Sequence, residues 1–230
     1  MTFSVTPADI PILVGAFVAV ILSIVFTARA AAGTRANFWG AAFLFVSAVR
    51  ILLKYLNQSG MITEFPHLAR IQYPLGLVTP VLIYLYVLHL LGQAKRPFWI
   101  AWLHFIPAIA VALYLGPYYL ASGADKGAWM TTTGGMPQQL PAWYPWAGLP
   151  YSALYLALAE AARRRFVKSQ GGKKLSGPGK AVVAWIRLLL IGGGIFLVTA
   201  VVMRLAVGVV DLNYFLFQVF SFLMILACVK

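Results

Sequence analysis

The residues best suited to bind a ligand in this sequence are basic side chains within or beside long apolar stretches. Four of them are Arg50, Lys54, Arg70 and Arg204. An ionisable group inside an apolar segment is costly, so it is a functional candidate until a structural partner is found. Guanidinium groups bind carboxylate or phosphate oxygens with two parallel hydrogen bonds. The pattern predicts a polar pocket for a small extracellular or intramembrane ligand with an anionic group.

Four other polar side chains complete the predicted ligand-binding set. They are Glu64, His67, Tyr84 and Asp211. A second interpretation assigns the acids a structural role only. In it, Arg50 pairs with Glu64, and Arg204 pairs with Asp211 across a tight turn, which neutralises charge and holds the helices together. The sequence leaves both interpretations open.

Few residues have the spacing that catalysis or metal binding requires. His89 and His104 have no carboxylate or thiolate beside them, which favours hydrogen bonding between helices over a metal site. Glu160 is followed by Arg163 and Arg164 at helical spacing, which predicts a surface ion pair. No hydrolase, zinc-protease or phosphate-loop motif occurs. We therefore predict that the chain is not an enzyme and that it has no cofactor and no metal.

The elements that position these residues follow from the composition. Of 230 residues, 62% are hydrophobic and 10% are charged, which indicates an integral membrane protein. Because lipid offers the backbone no hydrogen-bond partners, apolar segments of about 20 residues must be helices. The predicted fold is an all-α polytopic bundle of seven transmembrane helices in one domain. The segments are Ile10–Ala32, Asn37–Leu56, Tyr73–Leu91, Pro97–Leu120, Ala142–Ala162, Ala181–Leu205 and Val210–Val229.

The basic residues are distributed unequally between the two sides of this bundle. Most of the 18 lysines and arginines fall in the connections of one side, including the glycine-rich segment 163–180. The positive-inside rule then places the N-terminus outside and Lys230 in the cytoplasm. The basic segment would attract anionic headgroups. The opposite connection, Ser122–Pro141, is interpreted as an extracellular loop.

The stretch Glu64–Gln93 reads as the central crossing, entered through a short amphipathic segment that begins near Pro66. It contains FPHLAR at 65–70, PL at 74–75 and PVLIYLYV at 80–87, and HFIP follows at 104–107. In these motifs the chain resembles the multi-pass membrane region in front of some bacterial AraC-type helix-turn-helix transcriptional regulators. The match is clearest over Glu64–Tyr119. The resemblance implies a multi-pass protein of the bacterial inner membrane and a cytoplasmic DNA-binding domain joined after Lys230.

These observations together predict a membrane-embedded sensor. The resemblance implies that a ligand would shift helices six and seven, and Gly192, Gly193 and Gly194 permit close helix approach or a hinge. DNA would be contacted only through a domain absent from this chain, membrane lipid is the expected surrounding partner, and a homodimer is left open. One alternative is a stand-alone carrier of small molecules or lipids. Another is a structural bundle that only assembles with partners.

Overall fold

The computed structural model describes residues 9–31, 33, 35–94, 98–131, 140–141, 143–170 and 177–206 of the chain. All regular structure in these ranges is helical. The α-helices are α1 (Ile10–Ala31), α2 (Arg35–Gln58), α3 (Gln72–Leu90), α4 (Phe98–Leu103), α5 (Ile106–Tyr114), α6 (Gly116–Leu120), α7 (Gly123–Thr131), α8 (Tyr144–Ser169) and α9 (Gly177–Ala206). Two 3-10 turns, Met61–Thr63 and Pro66–Leu68, connect α2 to α3.

Four helices in the described ranges are long and apolar enough to cross a membrane. They are α1, α2, α3 and the part of α9 from Gly179 to Val202. Large apolar side chains such as Phe17, Leu113 and Val198 are exposed on the bundle, as expected where a helix faces lipid. The predicted all-helical membrane fold is confirmed to this extent. The predicted fifth segment lies in α8, whose C-terminal third is charged, and the seventh, Val210–Val229, lies outside the described residues.

The fourth predicted segment, Pro97–Leu120, is not one helix. It is divided into α4, α5 and α6, with prolines in the first turns of α5 and α6. Pro107 and Pro117 lack the N–H that an unbroken helix would use, and their rings clash with the carbonyl four residues earlier. A proline is tolerated in a first turn, so the chain restarts a helix at each one.

The connection interpreted as a loop, Ser122–Pro141, contains helix α7. Ser122 lies before its first residue, and the backbone N–H of Asp125 donates to Ser122 Oγ at 3.1 Å. Ser122 Oγ in turn donates to Asp125 Oδ2 at 2.7 Å. This local cap satisfies donors that the helix N-terminus leaves open, and it explains why a helix forms in this polar segment.

Helix α3 lies at the centre of the bundle, as predicted, and packs against α2, α5 and α8. Its side chains Val81, Leu85 and Tyr86 are buried in the largest apolar cluster, together with Trp39 and Phe43 of α2. Helix α1 packs along α2, and α9 packs along α8. This arrangement leaves an internal space where α2 and α3 face α8 and α9.

Candidate functional site

A cavity of about 120 Å³ lies between α2, α3, α8 and α9, well inside each helix. The side chains that line it are Phe43, Ser47 and Arg50 of α2, Gly76, Thr79, Pro80 and Ile83 of α3, Ser152 and Leu156 of α8, and Gly193, Phe196 and Leu197 of α9. For scale, an apolar cavity of about 150 Å³ engineered into another protein holds benzene. The cavity therefore accommodates a ligand of a few non-hydrogen atoms.

Glycines shape this cavity because they let helices and side chains approach. A Cβ at Gly193 would lie 2.9 Å from Leu156 Cδ2, so α9 approaches the Leu156 side chain of α8 closely and a larger residue there would displace that side chain. The predicted role of the glycine run in close helix approach is confirmed at this position. A Cβ at Gly76 would lie 3.8 Å from Arg50 Nη2, so the guanidinium passes directly over this glycine.

The polar groups of the cavity are one cation and several hydroxyls. Arg50 Nη1 donates to Thr79 Oγ1 at 3.0 Å, and Thr79 Oγ1 donates to the Leu75 carbonyl at 2.9 Å. Ser152 Oγ donates to the Gly148 carbonyl at 2.8 Å. Thr79 and Ser152 thus hydrogen-bond to carbonyls of their own helices, and Thr79 also anchors the Arg50 guanidinium through Nη1.

Ser47 differs from the other hydroxyls. It is 4% exposed, and its Oγ has no hydrogen-bond partner among the residues that the structure describes. It precedes Arg50 by three residues, so both side chains lie on one face of α2. A buried hydroxyl without a partner is unfavourable by about 1–3 kcal/mol. A ligand that accepts a hydrogen bond in this cavity would remove that penalty.

The predicted pairing of Arg50 with Glu64 is wrong. Glu64 is exposed between the two 3-10 turns and makes no ion pair within the described part of the chain. Arg50 lies eight residues before Gln58, the last residue of α2, which corresponds to roughly 12 Å along the helix axis. The two side chains are therefore at different depths. Lys54 lies one turn beyond Arg50 on α2 and is not part of the cavity lining.

His67 and Arg70 belong to a second polar cluster, near the 3-10 turns and α7. At its centre is Lys126, which is 1% exposed and donates from Nζ to His67 Nδ1 at 2.8 Å and to the Tyr119 carbonyl at 2.9 Å. The cations Arg70 and Lys126 lie 4.7 Å and 5.4 Å from the centroid of the buried Tyr118 ring. These contacts fasten α6 and α7 to the entry of α3.

The backbone of Arg70 is strained in this cluster, with φ at 67°. A non-glycine residue rarely adopts this left-handed conformation. Its carbonyl accepts a hydrogen bond from Tyr119 Oη at 3.2 Å, which holds the turn in place.

Lys126 was not among the predicted site residues, because the sequence alone placed it in a loop. Its burial depends on His67, which is distant in sequence.

Tyr84 lies away from Arg50, toward the C-terminal end of α3. Its ring contacts the rings of His104 and Tyr155, with centroids 5.6 Å and 5.8 Å away. His104 Nδ1 is 3.0 Å from Tyr155 Oη, and Trp39 Nε1 donates to His89 Nε2 at 3.3 Å. The predicted hydrogen bonding between helices is confirmed for His89, which joins α3 to α2, whereas His104 lies in the turn between α4 and α5 and joins that turn to α8.

Of the six predicted site residues whose side chains the structure describes, Arg50 alone lines the central cavity. Ser47, Thr79 and Ser152 are the cavity hydroxyls that sequence reasoning missed. The side chain of Arg204 and the whole of Asp211 lie outside the described residues, so their predicted ion pair stays a prediction. Comparison of the chain with protein-family models, curated proteins and solved structures gives no match.

Proposed function

We propose that this chain is a membrane-embedded receptor that binds a small amphiphilic monoanion, a short-chain carboxylate, in the cavity at Arg50. The observation that carries the proposal is the lining of that cavity. It combines a guanidinium group, a buried hydroxyl without a hydrogen-bond partner in the described residues, and apolar walls. A carboxylate matches the guanidinium fork, and a short alkyl chain matches Leu156 and Phe196.

The size and charge of the cavity select the ligand class. A space of about 120 Å³ holds only a few heavy atoms. Among the lining residues that the structure describes, Arg50 supplies the only charge. A second negative charge on the ligand would be desolvated without compensation, which is strongly unfavourable in an apolar environment. Monocarboxylates are therefore favoured over phosphates and dicarboxylates.

Binding would connect two parts of the bundle. The cavity places Arg50 of α2 opposite Phe196 and Leu197 of α9. Helix α9 is also connected to α3, because Trp185 Nε1 donates to Tyr86 Oη at 3.2 Å. A ligand that contacts both sides would favour one position of α9 over another, and only such a difference in affinity can shift the equilibrium.

The signalling part of the proposal extends beyond the described residues. We propose seven spans with the N-terminus outside, so that α9, the sixth span, runs outward and the predicted seventh span returns the chain to the cytoplasm. The unequal distribution of basic residues supports this orientation. The resemblance to AraC-type membrane regions supports a transcription-regulating domain joined after Lys230. Sequencing the transcript beyond the Lys230 codon tests this part, since a helix-turn-helix pattern is expected there.

The binding part is tested on the purified chain in detergent, with straight-chain carboxylates from acetate to octanoate as ligands. The thermal unfolding midpoint should rise with a chain length that fits the cavity, and this rise should vanish in Arg50→Met. The matched control is Lys54→Met, which removes a cation one turn away and should keep the response. Ser152→Leu fills the cavity without removing charge, and it should also abolish binding.

Two results would contradict the receptor proposal. An equal response in Arg50→Met and in the unchanged chain would show that the ligand binds elsewhere. Saturable uptake of the carboxylate into vesicles containing the protein would instead support a carrier. A receptor should show saturable binding with no flux in the same vesicles.

A further inference from the structure

A second cavity, of about 700 Å³, lies where α3 and α8 end beside α4. One part of its wall is apolar and another part is polar. Leu88 and Phe166 provide apolar surface, whereas Gln93, Arg165 and Ser169 provide polar groups. The volume lies within the range of about 300–1,000 Å³ that is typical of ligand pockets. This cavity shares no lining residue with the cavity at Arg50.

The three consecutive arginines of α8 are used differently. Arg163 and Arg164 both pair with Glu160, at 2.7 Å and 2.6 Å, which confirms the predicted surface ion pair. Arg165 lines the cavity instead. Within the described ranges it makes no hydrogen bond or ion pair. Its positive charge is therefore available to a bound anion.

The inner wall of the cavity is held in place by hydrogen bonds that the protein makes to itself. His89 accepts from Trp39 Nε1, and its Nδ1 lies 2.9 Å from the Leu85 carbonyl. Gln93 Nε2 donates to the Ala162 carbonyl at 2.9 Å, which ties the end of α3 to α8. The cavity is thus a preformed space with an apolar interior and a cation at one side.

We propose that this cavity binds the headgroup of an anionic phospholipid, with its phosphate at Arg165 and its first methylenes against Leu88 and Phe166. The α3 helix is one of those long enough to cross the membrane, so its end lies near a membrane surface, at the depth of headgroups. Basic pockets between helices at that level suit anionic lipid headgroups. The site is separate from the proposed carboxylate receptor site and does not depend on it.

The test uses the full chain, delipidated in maltoside detergent and titrated with dioctanoyl phosphatidylglycerol in native mass spectrometry. Dioctanoyl phosphatidylcholine serves as the lipid without net charge. We expect one tightly bound phosphatidylglycerol and weaker binding of phosphatidylcholine. Arg165→Gln should weaken phosphatidylglycerol binding by about 5-fold or more. Arg164→Gln removes the same charge from the neighbouring position and should leave binding unchanged.

A second variant keeps the proposal testable if Arg165→Gln does not fold. Ala101→Leu narrows the cavity from α4 while keeping Arg165, and it should also weaken lipid binding. Equal losses in Arg164→Gln and Arg165→Gln would overturn the proposal, because they would show diffuse attraction to the basic surface. Displacement of the lipid by glycerol 1-phosphate at the same concentration would also overturn it, in favour of a soluble phosphate ligand.

Discussion

Replacement of Ser47 by alanine should stabilise the empty protein and weaken its ligand binding at the same time. Ser47 is 4% exposed, and its Oγ has no hydrogen-bond partner in the part of the chain that the structure describes. The alanine side chain removes the buried hydroxyl and keeps the rest of the side chain. Higher stability together with lower ligand affinity is expected only if Ser47 Oγ hydrogen-bonds to the ligand and to no group of the empty protein.

The magnitude follows from the burial of this hydroxyl. Its desolvation without a partner is unfavourable by about 1–3 kcal/mol. Alanine also has a higher helix propensity than serine, by a few tenths of a kcal/mol. The small increase in cavity volume opposes these gains, so we expect a net stabilisation of about 1–2 kcal/mol. For a chain of this size that is a rise of roughly 3–6 °C in the unfolding midpoint.

The control is Ser152→Ala, the same substitution in the same cavity. Ser152 Oγ donates to the Gly148 carbonyl within its own helix, so its loss should change stability by less than about 0.5 kcal/mol. Thermal unfolding of both variants in detergent measures the difference. Carboxylate affinity should fall by about 3- to 10-fold in Ser47→Ala. A lower unfolding midpoint for Ser47→Ala than for Ser152→Ala would refute the reasoning, because it would show that Ser47 Oγ already has a partner.

Two further predictions concern the packing and the charged end of the bundle. Gly40→Ala should destabilise the protein by about 1–2 kcal/mol, because the new Cβ would lie 2.7 Å from Phe26 Cδ1 and 3.1 Å from Tyr86 Cε2. Phe26→Leu in the same chain should restore part of the loss in thermal unfolding, and Gly194→Ala, with open space at its Cβ, should be neutral or slightly stabilising. Glu160→Gln should lower stability by less than about 1 kcal/mol, because its side chain is 28% exposed and water screens the ion pairs. That loss should disappear when the unfolding is measured at high salt.

Hydropathy predicts the long helices of this fold because the hydropathies of successive side chains add up along an apolar segment. It fails at Pro107 and Pro117, where the apolar run continues but the helix does not. Hydropathy records side-chain polarity, whereas the break comes from a missing backbone donor and a steric clash. The α7 helix shows the reverse case. Its capping pair, Ser122 and Asp125, is visible in the sequence, but the segment is too polar to be noticed as a span.

The candidate site could be predicted only in part. Arg50 is recognisable because a charge interrupts an apolar segment. The absence of a pair between Arg50 and Glu64 in the described structure could not be predicted. Ion pairing depends on the depth of each side chain in the bundle, whereas the sequence gives only the order of residues along the chain. Ser47 carries no sequence signal, since serine is common in membrane helices and the lack of a partner among the described residues depends on how α3, α8 and α9 surround it. Lys126 is buried through a contact with His67, which no local pattern encodes.

The energetics of Arg50 connect the fold to the proposed function. A guanidinium group held between apolar helices loses hydration worth several kcal/mol, and Arg50 donates one of its hydrogen bonds to the neutral hydroxyl of Thr79. Ser47 Oγ has no hydrogen-bond partner among the described residues and carries a similar cost on a smaller scale. A carboxylate in the cavity would accept hydrogen bonds from both groups, so ligand binding and folding are linked through the same atoms. Removal of the Ser47 hydroxyl should therefore stabilise the empty protein and reduce the stabilisation that a carboxylate provides. A hydroxyl that only held the bundle together would behave in the opposite way, because its loss would destabilise the protein whether or not a ligand is present.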